Sequence, residues 1–104
     1  MSNLLLSNIV AMGIVTITYD AASQAANVTD EDTVTVPGLK VGDYVALTQP
    51  AQVDGVGICD CRVTAADTLS ITWVNPTAGA VNPGSASYTL FWARPDGTRN
   101  SVNA

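Results

Sequence analysis

Apolar and polar residues alternate at every second position in most of this chain. A β-strand with one buried and one exposed face requires this pattern, because successive side chains of a strand point to opposite faces. The clearest run places Leu69, Ile71 and Trp73 between hydroxyl residues. The pattern predicts six strands: Met12–Tyr19, Thr33–Val36, Asp43–Thr48, Val56–Thr64, Thr68–Val74 and Ala86–Ala93.

Glycine and proline separate the predicted strands. Pro37-Gly38 suits a type II turn, and Asn75–Gly84 is a loop with Asn-Pro near both ends. Short strands at this spacing predict an all-β fold, a single antiparallel β-sandwich or small barrel of about six to eight short strands. We expect the sandwich over residues 12–94, an N-terminal arm or edge strand over residues 1–11, and a C-terminal tail over residues 95–104.

The chain carries little charge for its size. Charged residues make up 12% of its 104 residues, hydrophobic residues make up 47%, and the net charge is −5. Four basic residues are too few for a nucleic-acid surface or an anionic membrane, so we expect neither partner. A small domain exposes much of its surface, so the scarcity of charge predicts a surface that other proteins cover.

The N-terminal segment Leu4–Val10 is apolar and does not alternate between apolar and polar residues. It is too short to span a bilayer and lacks the basic residues of a signal peptide, so we expect synthesis in the cytoplasm. Two interpretations are open: a strand buried in its own fold, or an arm that adds to a neighbour's sheet edge. The predicted partner-contact residues are Leu4, Leu5, Leu6, Ile9 and Val10.

Two clusters could in principle hold a metal ion. Cys59 and Cys61 lie on one face of a predicted strand, and we expect both to be small buried hydrophobic residues. An intersubunit disulfide or metal is the alternative. The run Asp30-Glu31-Asp32 is expected to form a solvated turn before the strand at Thr33; a shared cation or a docking patch for a basic neighbour is the alternative. We therefore expect no bound metal and no cofactor.

The remaining polar and aromatic candidates favour structural roles. Asp60 and Arg62 share a strand face and are expected to pair with each other or across an interface. Trp73 and Trp92 are expected to pack in the core, with a role as interface anchors or sugar platforms as the alternative. The chain has no histidine, and its single lysine, Lys40, lies in a predicted turn, so we expect no enzyme.

Two long segments carry a resemblance to a known family. They read DTVTVPGLKVGDYVAL (Asp32–Leu47) and RVTAADTLSITWVNPTAGAVNPGSASYTLFWAR (Arg62–Arg94). Together they resemble a small β-domain of tailed-bacteriophage structural proteins, most like a capsid decoration (cement) protein.

The resemblance implies a homo-oligomer, often a trimer, that binds the major capsid protein on the capsid surface of the virion. Such a protein would stabilise the phage head by bridging major capsid subunits, without catalytic residues. A tail-fibre, tail-tube or adaptor component is the first alternative. A carbohydrate-binding β-sandwich module using Trp73 or Trp92 is the second.

Overall fold

The computed structural model describes residues 8–96, which form an all-β fold of six antiparallel strands. The strands make two three-stranded sheets, as in a small β-sandwich. The first sheet has the order β1-β6-β3, and the second has the order β2-β5-β4. The strand bounds are β1 Ile9–Ala21, β2 Val28–Thr35, β3 Tyr44–Thr48, β4 Gly57–Ala65, β5 Thr68–Asn75 and β6 Gly84–Pro95.

Each of the six predicted strands is present, which confirms the fold class. Three of them begin earlier than the alternation predicts: β6 begins two residues early, at Gly84, and the other two begin earlier by more. β1 begins at Ile9, because Ile9 and Ala11 pair with Pro95 and Arg94 of β6. β2 begins at Val28, five residues before its predicted start. Pairing with a neighbouring strand therefore extends both elements into segments without clean alternation.

The two central strands supply the largest fully buried hydrophobic side chains of the core. These are Leu69, Ile71 and Trp73 on β5 and Tyr88 and Leu90 on β6. These side chains point from one sheet toward the other, as the period-2 pattern requires. Burying an aliphatic or aromatic side chain contributes about 1.5 to 3 kcal/mol, so these positions dominate the stability of the fold.

A chain of hydrogen bonds links the sheets inside the sandwich. The buried Nε1 of Trp73 donates to the Tyr19 hydroxyl at 3.0 Å, and that hydroxyl donates to the Asp32 carboxylate. Burial and the bond to Asp32 raise the pKa of Tyr19 well above its ordinary value. The indole N–H and the hydroxyl are thus both satisfied within the core.

Asn75 organises the loop that connects β5 to β6. The side chain is fully buried. Its Nδ2 donates to the carbonyls of Gln24 and Gly79, both at 3.0 Å. Its Oδ1 accepts from the amide and hydroxyl of Thr77. The side-chain amide of Asn75 thus makes four hydrogen bonds with groups that would otherwise need water, and it closes this end of the sandwich.

Candidate functional site

The outer face of the first sheet carries large apolar side chains. Ile14 is 73% exposed, Val10 65%, Tyr44 61% and Met12 59%, and Phe91 is also exposed. Met12 and Ile14 share one side of β1, Val10 is the extra residue where the pairing of β1 with β6 shifts, Phe91 lies on β6 and Tyr44 on β3. We call these five residues the apolar patch. Exposed apolar residues are ordinary when scattered, but a contiguous group marks an interaction surface.

Strand register brings the patch together across three strands. Met12 and Tyr44 flank Ala93 in one row of the sheet, because both pair with it. Phe91 stands between Ile14 and Ala46 in the next row. Ala93 is buried between its two large neighbours. The large side chains of the three strands therefore form one apolar surface that a partner could cover.

The apolar patch continues into an uncharged polar area. The next rows hold Thr16, Thr89 and Thr48, and then Thr18 and Ser87, all exposed. In the described part of β1, the first charged residue is Asp20. Hydroxyl groups are cheaper to remove from water than charges, so this whole face can be covered at low cost.

The outer face of the second sheet is charged instead. Arg62 on β4 reaches Glu31 on β2 at 2.8 Å and Asp60 on its own strand at 3.3 Å. The predicted pairing of Asp60 with Arg62 is therefore confirmed, and Glu31 joins it. Charged side chains suit a face that stays in water, so the two sheets differ in what they present to the surroundings.

Removing this exposed charge network is expected to change stability little. The side chains of Arg62 and Glu31 are 55% and 39% exposed. Exposed pairs contribute between zero and about 1 kcal/mol, so R62A should lower the free energy of unfolding by less than about 1 kcal/mol. Urea denaturation of both proteins at low and high salt measures the difference. A loss of several kcal/mol would contradict the assignment of this face to solvent.

The acidic run lies in a strand, so its prediction as a turn is wrong. Asp30, Glu31 and Asp32 belong to β2 and pair with consecutive residues of β5. The hydrogen bonds of β5 hold this segment extended despite the low strand propensity of acidic residues. Asp32 accepts hydrogen bonds from the Tyr19 hydroxyl and from the Ala22 amide at 3.1 Å. Within residues 8–96, no group of three potential ligands is arranged to hold a metal ion.

The two cysteines have different environments, so the prediction that both are buried is wrong for Cys59. The pairing of β4 with β5 shifts between Ile58 and Asp60, which leaves Cys59 as the extra residue of a β-bulge. Cys59 is exposed and Cys61 is half-buried against the core. Strict alternation would place Val63, Cys61 and Cys59 on one face of β4. The bulge takes Cys59 out of this alternation.

Thiol reactivity should separate the two cysteines. Burial, followed by the charge of Asp60, raises the pKa of the Cys61 thiol. The thiolate is the reactive species, so Cys61 should react at least about tenfold more slowly with a thiol reagent than Cys59. Stopped-flow labelling should show two phases, and C59A should lose the fast one while C61A keeps it. Equal rates for both thiols would rule out the bulge.

An open cavity of about 340 Å³ lies at the end of the sandwich near the start of β1. Its lining includes Val15, Trp92 and Arg94 of the first sheet and the turn that begins at Val36. Gly13 has a close neighbour here, because a Cβ on it would lie 3.1 Å from the Trp92 indole nitrogen. The Trp92 ring can therefore pack against β1 at this position because residue 13 is glycine.

The cavity rim is held by an ion pair. Arg94 Nε and Nη2 donate to the two carboxylate oxygens of Asp43 at 2.9 and 2.8 Å. Arg94 Nη2 also donates to the Gly38 carbonyl, and its guanidinium lies 5.2 Å from the Trp92 ring centre. These hydrogen bonds hold the pKa of Asp43 below 3.8, although burial opposes them. Arg94 thus joins β6 to the loop before β3.

The tryptophans divide between the core and the cavity. Trp73 is fully buried, which confirms its prediction as a core residue, and it offers no face for a sugar to stack on. Trp92 is half-buried and packs against the core, which confirms its prediction in part, and it also lines the cavity, with Arg94 over its ring. Lys40 lies in the loop between β2 and β3, as predicted.

The predicted N-terminal contact residues are placed only in part. Ile9 and Val10 lie at the start of β1 and are exposed, and Val10 belongs to the apolar patch. Leu4, Leu5 and Leu6 lie outside the described residues. The sequence reasoning missed Met12, Ile14, Tyr44 and Phe91 as contact candidates. The signal was present, since β1 has apolar residues on both of its alternating faces up to Val15.

Comparison with known proteins identifies no relative: no family model, no curated protein and no solved structure matches this chain. The described part of the chain contains no helix long and apolar enough to cross a membrane. The chain is a small β-sandwich whose first sheet presents a mostly uncharged outer face and whose second sheet presents a charged one.

Proposed function

We propose that this chain is a structural subunit that binds another protein through the apolar patch, and that it acts as a phage capsid decoration protein. The observation that carries the proposal is the outer face of the first sheet. Four large apolar side chains there are each more than half exposed. Solvent contact with such side chains is unfavourable by about 25 cal/mol per Å² of apolar surface, so covering them favours binding.

The assignment to a capsid comes from the resemblance of Asp32–Leu47 and Arg62–Arg94 to phage structural domains. A decoration protein stabilises a shell by burying surface between major capsid subunits, and this function requires no catalytic group. An interface of standard size buries about 1,600 Å² in total. The resemblance favours three copies per assembly unit, located on the capsid surface.

Binding to capsids that lack the protein tests the proposal. Purified protein is mixed with decoration-free heads of the phage that encodes it, and bound protein is measured after sedimentation. The double variant M12K/I14K places two charges in the apolar patch and should lose at least about tenfold in affinity, since charge at a covered contact must be desolvated. The matched control T33K/T35K adds the same charge to exposed positions of β2 and should bind like the wild type. Equal binding by all three proteins would disprove the role of the patch.

Copy number separates the decoration protein from a tail-fibre, tail-tube or adaptor component. A decoration protein and a tail or adaptor component would both dock through the apolar patch. A decoration protein is present in many copies on each particle, and an adaptor in few. Densitometry of purified virions on a denaturing gel, with the major capsid protein as internal standard, distinguishes the two.

Carbohydrate binding is the second alternative, and Trp92 at the cavity is the residue that would serve it. The guanidinium of Arg94 already binds Asp43 and Gly38. A sugar would therefore rely on the exposed part of the Trp92 ring. Titration of the protein with a panel of glycans, followed by tryptophan fluorescence, tests this alternative, with W92F as the variant that should abolish any response.

A further inference from the structure

Three of the four edge strands are protected against pairing with another chain. β2 carries Asp30–Asp32, and charged side chains discourage strand addition. β4 contains the bulge at Cys59 and lies beside β3, where Cys61 Sγ is 4.0 Å from the Val45 carbonyl oxygen. β3 is thereby covered by β4 and is only five residues long.

β1 lacks charged residues along most of its length, and its one register shift lies at its start. It is the longest strand, with 13 residues, and β6 is its only strand partner within residues 8–96. No charged residue occurs from Ile9 to Tyr19. The register shift of this strand is confined to its first residues, between Ile9 and Ala11. The N–H and C=O groups of its free edge are therefore available to another extended strand.

We propose that β1 pairs antiparallel with β1 of a second copy, so that the two first sheets form one six-stranded sheet. Two identical strands related by a two-fold axis make a self-complementary contact. Pairing of two 11-residue uncharged segments gives about ten main-chain hydrogen bonds.

The lack of charge along β1 lets a second copy of this acidic chain be the occupant. The chain has a net charge of −5, so two copies repel each other wherever acidic residues face one another. The Asp30–Asp32 run lies in the second sheet, away from this edge. In a pairing centred on Ile14, each Asp20 lies beyond the end of the partner's uncharged segment. The β1 edge is thus the place where two copies meet without opposed charges.

The pairing uses an edge, so it does not depend on the proposed docking of the patch. It brings the two apolar patches onto the same face of one continuous sheet. It also predicts a two-fold dimer, whereas the resemblance predicts a trimer. The mass of the protein in solution separates these two expectations.

Light scattering of the full chain tests the pairing. Over a rising concentration series, the mass of the wild type should increase from the chain mass of 10.7 kDa toward twice that value. T16K/T18K places two lysines on β1, and lysine is the residue that natural edge strands use to prevent pairing. This variant should be monomeric, with affinity reduced at least about tenfold. S87K/T89K is the matched control, because Ser87 and Thr89 are the β6 partners of Thr18 and Thr16 on the same face. It should remain a dimer.

Hydrogen exchange gives a second measurement that needs no variant. Backbone amides of residues 9–19 should exchange at least about tenfold more slowly at a concentration that favours the dimer than at one that favours the monomer, because edge N–H groups become hydrogen-bonded. Circular dichroism shows whether each variant is folded, and if T16K/T18K is not, the exchange series decides. A monomeric or trimeric wild type, equal dissociation of both variants, or unchanged exchange in residues 9–19 would overturn the proposal.

Discussion

Asp43→Ala should lower the free energy of unfolding by about 1 to 3 kcal/mol, because the Arg94 side chain loses two hydrogen bonds to the carboxylate. The carboxylate side chain is 2% exposed and that of Arg94 is 25% exposed. The carboxylate also accepts a hydrogen bond from the Lys40 amide at 2.9 Å, which would lose its partner as well. Urea denaturation followed by tryptophan fluorescence measures the loss.

Asp43→Asn is the matched variant, since it keeps the shape and removes the charge. It should cost less than Asp43→Ala, about 1 to 2 kcal/mol, because the amide oxygen can still accept from one donor. The pH dependence has a defined sign. A carboxyl whose pKa is lowered in the folded state stabilises the fold above its ordinary value of 3.8 and loses that contribution as pH falls through the folded pKa. The stability difference between wild type and Asp43→Asn should therefore shrink as pH is lowered below about 4. A difference that grows under acid would contradict this ion pair.

Trp73→Ala should have the largest effect of any single change described for this chain, a loss of about 4 kcal/mol. It removes the largest fully buried side chain from the centre of β5 and leaves a cavity between the sheets. It also removes the N–H donor to the Tyr19 hydroxyl. A loss of this size is comparable with the whole stability of a small domain, so we expect the variant to be largely unfolded at 37 °C.

Trp92→Ala is the control for this prediction. The same side chain is deleted, but from a half-buried position at the open cavity, so the loss should be about 1 to 2 kcal/mol. Thermal unfolding by circular dichroism ranks the two variants. If Trp92→Ala proved the more damaging, the interior would be centred at the cavity and not between β5 and β6.

Periodicity was sufficient to predict the strands of this fold and much of its core. Leu69, Ile71 and Trp73 alternate with hydroxyl residues, and the structure buries all three. The acidic run could not be placed in the same way. Asp30 and Glu31 have low strand propensity, and their extended conformation comes from pairing with β5, a contact distant in sequence. Sheet order is a similar case, because β1 and β6 lie at opposite ends of the chain.

The candidate site was predictable only in part. The scarcity of charge pointed to a covered surface, and Ile9 and Val10 were placed near it. The patch itself needs the register that aligns Met12 with Ala93 and Tyr44, which no local pattern contains. The exposure of Cys59 depends on a bulge that shifts the alternation by one residue. Both features are set by pairing between strands and not by the composition of either strand.

The hydrogen bond from the Asp96 amide to the Asn8 carbonyl, at 2.8 Å, has a consequence for engineering the protein. It brings both ends of the described chain to one corner, beside Val10 of the apolar patch. A tag or cargo attached directly to Asn8 or Asp96 of a chain shortened to residues 8–96 would therefore start from this corner and compete with a docking partner. The loop at Ala78–Ala80 joins β5 to β6 at the far end of β6, which spans about 40 Å at 3.4 Å per residue. An insertion after Ala80 would leave the corner free and would keep the Gly79 carbonyl that accepts from Asn75 Nδ2, so the protein could display a cargo while bound.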